Sequence, residues 1–160
     1  MKKTIALMLV LAISMTLLAS CSSGSKLPEK LDVEKAVAAV DKLEIMPAAE
    51  VVTDQWLKDV AGIDAALVEK YHIAFPMMIV HSSLYMLILP KQGSEAEVKK
   101  QTDAYMKKYE ELWAQYLPDQ SDLVKNRLEE NIETKEGTWQ VIVIASDTKA
   151  VMDAIKSAVA

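Results

Sequence analysis

Hydrophobic and polar positions alternate along the chain with periods that change from segment to segment, and each period names an element. Ile5 to Ile13 is an unbroken apolar run, followed by Met15, Leu17, Leu18 and Ala19. Beyond it, Val33, Ala36, Val37, Val40 and Leu43 lie on one helical stripe that Asp32 can cap and Pro47 ends. A second, shorter helix is expected around Trp56, Leu57 and Val60, capped by Thr53 or Asp54 and stopped at Gly62. Residues 63–70 fit no single period. Tyr71 to Val80, with Pro76 inside it, and Leu84 to Leu89 read as two strands with a turn near His81-Ser82-Ser83. Ser94 and Glu97 form the pattern of a capping box at the start of a long helix whose apolar side carries Val98, Tyr105, Met106, Tyr109, Leu112, Trp113, Tyr116 and Leu117. Pro118 ends it, and a short helical turn is expected within Ser121–Lys125. Leu128 to Thr134 reads as a polar strand. Gly137 turns a hairpin into Trp139–Ala145, and Ser146 or Asp147 caps a last helix with Val151, Met152, Ile155 and Val159.

The resulting order is β-β-α-β-β-α after two N-terminal helices. It predicts an α+β fold, a mainly antiparallel sheet of about four strands with helices packed on it. Should the second and third strands be parallel neighbours, the long helix between them would make a right-handed crossover. Trp139–Ala145 and Leu84–Leu89 are apolar at odd and even positions alike, so both faces of the sheet need cover. The two N-terminal helices are the expected cover. A partner, a second copy or an apolar ligand is the alternative.

Composition sharpens the reading at the N-terminus. The chain has 18 basic and 23 acidic side chains, a net charge of −5 and a single Cys. No Lys/Arg-dense stretch offers the basic face that nucleic acid requires, and one Cys can form neither an internal disulfide nor a Cys-based zinc cluster. Residues 1–20 hold two Lys and no acid, the pattern of a secretory signal peptide whose apolar core is too short for a standard membrane span. It ends Leu18-Ala19-Ser20-Cys21, which resembles the bacterial lipobox. That resemblance implies cleavage between Ser20 and Cys21 and a diacylglyceryl group on the Cys21 sulfur. Two acyl chains suffice for stable anchoring, where one holds only marginally. Residues 21–30 are then a flexible tether with an r.m.s. reach of about 17 Å, and residues 31–160 a single domain.

Tyr116-Leu117-Pro118-Asp119-Gln120 at the close of an amphipathic helix, the hairpin glycine Gly137, Trp139, and Val141-Ile142-Val143-Ile144-Ala145-Ser146 together resemble small bacterial lipoproteins, mostly Gram-positive, that carry domain of unknown function 4358. The resemblance runs from about Thr53 to Ile155. It implies an extracytoplasmic, membrane-anchored domain and brings no activity and no catalytic residues to carry over. His81-Ser82-Ser83-Leu84 stands where the family often has an acidic entry to its second strand.

Candidate chemistry is sparse. His72 and His81, the only histidines, lack the spacing of a helical zinc pair, and His72 is expected as a packed strand residue. His81 beside Ser82 and Ser83 would need an orienting acid and an oxyanion hole for hydrolysis, and no Gly-x-Ser-x-Gly elbow is present. Glu129, Glu130, Glu133 and Glu136 are expected as a solvated acidic edge rather than a calcium loop. Tyr105, Tyr109, Trp113 and Tyr116 are expected in the core rather than as a sugar-stacking platform. No catalytic, cofactor or metal residues are therefore assigned, and Cys21 alone carries a definite chemistry. The expected function is a lipid-anchored extracytoplasmic binding or interaction module at the cell membrane, with a protein partner or an apolar ligand and no nucleic acid. The rivals are a membrane-attached hydrolase using His81 and nearby acids, and a carrier of a small apolar ligand.

Overall fold

A computed structural model describes residues 26–160. The expected signal segment, the expected cleavage site at Ser20–Cys21 and the first part of the expected tether lie outside the described residues. Five antiparallel strands form one sheet in the order β1-β2-β3-β5-β4. They are β1 (Ala49–Val51), β2 (Val68–Pro76), β3 (Leu84–Pro90), β4 (Leu128–Thr134) and β5 (Gly137–Ile144). The α+β class is as expected, and the strand count is one higher. The three-residue β1 is fully exposed and pairs with the end of β2, Ala49 opposite Pro76. Three residues bounded by loops are too short to show a period, so the hydrophobic pattern does not reveal them.

The register explains the two-sided apolar strands. Leu84 pairs with Ile144, and Leu87 with Val141, so β3 and β5 lie in the interior of the sheet. Every residue of β3 is buried, as are the last six of β5. β4, at the edge, alternates exposed and covered positions, with Glu129, Asn131 and Glu133 on its wetter side. Because β5 lies between them, β3 and β4 point the same way without touching, and the crossover between parallel neighbours is not formed.

The helices are α1 (Val33–Asp41), α2 (Asp54–Trp56, continued by a π turn over Leu57–Ala61), α3 (Glu95–Tyr116), α4 (Pro118–Lys125) and α5 (Thr148–Lys156). Three of the starts have a local cause. Asp32 accepts from Lys35 N, Thr53 from Trp56 N, and Asp147 from Ala150 N, satisfying amides that the helix itself cannot. Gly62, at φ 67°, closes α2 in the left-handed region. Ser94 departs from expectation. Its backbone is already helical and its side chain makes no capping bond, while Glu97 faces Lys100 and Gln101 instead. Leu117 is extended, which breaks the helical run, and Pro118 opens α4 at the position where its missing N–H costs nothing.

The layers correct the expected cover. Met86, Ile88, Ile142 and Ile144 face α3 and α2, whereas Leu87, Val141, Val143 and Trp139 face α1 and α5. Only the first N-terminal helix therefore covers the second face, and it does so beside the C-terminal helix. The stripe of α2, Leu57 with Ala61, joins the core under α3. Leu31 bridges Val159, which ties the start of the domain to its end. The expected bounds of β2 also move. It begins earlier, at Val68, and stops at Pro76, so Met77–Val80 are not strand.

Candidate functional site

Pro76 ends β2, and the next four residues form an apolar loop. Met77, Met78, Ile79 and Val80 are 65, 60, 78 and 42% exposed. The feet of this loop are nevertheless fixed by polar bonds. Met77 N donates to Ala48 O at 3.0 Å, and His81 N to Met78 O at 3.2 Å. Ser82 N donates to Gln120 Oε1 at 2.8 Å, and the Ser82 hydroxyl to Gln120 O at 3.0 Å. The buried Tyr109 hydroxyl donates to Ser82 O at 3.1 Å. Burial pushes the Tyr109 phenol up to about 12, so it remains a donor at any physiological pH. The apolar tip is thus held out into solvent by its own base.

Opposite the loop stands the last third of α3. Leu112 and Tyr116 are exposed on its surface, while Tyr109 and Trp113 are buried one turn apart and meet edge to face at 5.9 Å. Between loop and helix lies an open recess of about 300 Å³, lined also by Phe75 and Pro76. His81 also lines it. The aromatic stripe divides there. Tyr105, Tyr109 and Trp113 are core, as expected, and Tyr116 is surface. Sequence reasoning misses the Met77–Val80 loop because apolar residues after a strand extend its pattern. The usable signal is Pro76 itself, with two consecutive Met and no alternation after it.

The remaining candidates are dispersed. His81 is half-buried beside the recess, and its neighbour Ser82 is fully buried with its hydroxyl engaged by Gln120. Ser83 is also buried. No hydrogen bond among the described residues links either serine to the His81 ring. His72 lies on the opposite face, stacked on Tyr85 with Nε2 3.3 Å from its hydroxyl. Burial lowers the His72 pKa, Asp41 opposing, and raises Tyr85 to about 12. Together with Asp41, Glu44 and Glu50 they line a second hollow of about 330 Å³ beside α1. The acidic hairpin is paired with cations from several elements: Lys99 and Arg127 to Glu129, Lys156 to Glu130, and Lys70 to Glu136. Among the described residues no group of three or more His, Cys, Asp or Glu is placed to hold a metal ion. No described helix is long and apolar enough to cross a membrane.

No curated protein and no solved structure matches the chain. A family model matches residues 41–145, beginning and ending ahead of the Thr53–Ile155 stretch that carries the sequence resemblance. That span includes the whole sheet, both walls of the recess and the loop Met77–Val80, and leaves out nearly all of α1 and the whole of α5. Since it covers more than half of the sequence, the chain belongs to the family defined by domain of unknown function DUF4358.

Proposed function

We propose that the chain is a lipid-anchored, extracytoplasmic binding module, held at the cell membrane through a diacylglyceryl group on Cys21 and making its contacts through the recess between Met77–His81 and α3. The observation that carries the reading is the pairing of a recess lined almost wholly by apolar side chains with a loop whose apolar tip is exposed and whose base is fastened. Exposed contiguous apolar surface on a folded domain marks an interaction site. Anchoring rests on the charge asymmetry of residues 1–20 and on Leu18-Ala19-Ser20-Cys21. The test is metabolic labelling of the producing cells with an alkynyl fatty acid. Label on the wild-type chain and none on Cys21→Ala is the expected result, and label persisting on Cys21→Ala would remove the anchor.

Two rivals attach to the same recess. A carrier of a small apolar ligand is favoured by its volume, at the lower end of ligand pockets. Hydrolysis is favoured by His81 in its wall, and opposed by the engagement of the Ser82 hydroxyl with Gln120. Purified protein is expected to turn over nitrophenyl esters, phosphates and peptides no faster than His81→Ala. Turnover that vanishes with His81 would replace the binding reading by the catalytic one.

A further inference from the structure

The recess and the tether occupy opposite ends of the sheet. The chain enters beside the β4–β5 hairpin, where Lys135 N donates to Pro28 O and Lys30 pairs with Ala160. The apolar loop precedes β3, whose first residue pairs with Ile144 at the far end of β5. The eight residues of β5 separate the two ends by roughly 23 Å. From Cys21 to Pro28 the chain can stretch at most about 25 Å, and its r.m.s. reach is about 15 Å. With the domain upright on its tether, a bilayer holding Cys21 lies on the hairpin side. In that orientation the loop reaches the same bilayer only if the tether runs back along the domain at nearly full extension, whereas a domain lying on its side would give the phospholipid adduct that the test below counts against the proposal.

The surface also limits what can cover it. Six exposed side chains (Met77, Met78, Ile79, Val80, Leu112 and Tyr116) leave on the order of 500 Å² of apolar area, the size of a functional patch on a monomer. Each subunit of an obligate dimer contributes about 1,000 Å² or more in total, about two thirds of it apolar, so the patch is smaller than an obligate second copy would bury. A small molecule filling the recess would leave Met77 and Val80, which stand outside it, still exposed. The walls are a loop and a helix, with no sheet edge between them. An extended peptide would find no ladder of backbone partners there, whereas a helix brings its backbone hydrogen bonds already made.

We propose that the Met77–Val80 loop and the end of α3 form a membrane-distal groove that takes the apolar stripe of an amphipathic helix from another exported protein. The proposal rests on the anchored-module reading for its orientation. Residues at helical spacing on the partner seat between Ile79 on one side and Leu112 with Tyr116 on the other. Methionines suit such a contact, because their flexible side chains conform to different helix faces.

The test places a benzophenone amino acid at Ile79, and as control at Glu133 on the hairpin end, in the full-length chain in the producing cells. Irradiation is expected to give, at Ile79 and not at Glu133, an adduct with one exported protein. Mass spectrometry should map the adduct to a segment with apolar residues at i, i+3 or i+4, and i+7. A synthetic peptide of that segment is expected to bind the purified protein and to bind Ile79→Asp at least tenfold more weakly, with unchanged thermal unfolding of the variant. An adduct of the chain with itself, an adduct with phospholipid, a non-helical peptide, or no adduct at Ile79 would each overturn the proposal. Loss of fatty-acid labelling with the adduct retained would instead overturn the anchor and the distal orientation, so the two failures are distinguishable.

Discussion

His72 is stacked on Tyr85, and burial holds its pKa below the ordinary 6.5. The unfolded chain then binds the proton more readily than the folded one, so His72 contributes stability above 6.5 that is lost as pH falls toward its folded pKa. Urea unfolding midpoints measured from about pH 7.5 to 5 should fall, and His72→Gln should flatten that part of the slope. A slope unchanged in the variant would mean that other groups set it. Gly137 is a second residue with a definite constraint. Its φ of 140° is one that L side chains rarely adopt, and an added Cβ would stand 3.1 Å from Leu89 Cδ1. Gly137→Ala is expected to lower stability by about 1–3 kcal/mol, read as a lower urea midpoint with unchanged slope. The hairpin position of Gly137 is legible in sequence. Its approach to Leu89 is not, because it depends on β3 lying next to β5.

At the scale of elements, a feature is legible in the sequence wherever its cause is local. Asp32, Thr53 and Asp147 cap because their side chains reach amides three residues on. β4 is legible from end to end because an edge strand alternates. Where tertiary context decides, local pattern fails. Ser94 has the residues of a capping box but a helical backbone, so its hydroxyl is not placed to cap. β1 exists only because β2 offers it an edge. The assignment of α2 to the α3 side of the sheet likewise depends on the path of residues 42–53, which no periodicity encodes. Leu57, fully buried there, is the anchor of that short element. Leu57→Ala is expected to cost about 2–5 kcal/mol, measured by denaturant unfolding, although α2 itself is too short to be stable alone. A cost below about 1 kcal/mol would mean that α2 is not part of the cooperative core. Of the candidate site, the three buried residues of the aromatic stripe are legible and the loop opposite is not, since the exposure of Met77–Val80 depends on where β2 ends.

At the scale of the whole molecule, strand order matters more than strand count. β5 is the last strand in sequence and sits inside the sheet, pairing on one side with β3 and on the other with β4. Remove it and β3 loses one neighbour while β4 loses its only one. A chain ending at Lys135 is therefore expected to remain protease-sensitive and without a cooperative thermal transition. A sharp transition in that truncated chain would show that β1–β3 with α3 form a unit of their own. The same order bears on timing. A polypeptide delivered N-terminus first has released α3 and the segments of four strands before β5 arrives. Until Ile144 has emerged, the facing edges of β3 and β4 have nothing to join them. Completion of that inner strand is then the step that turns separate segments into one cooperative sheet.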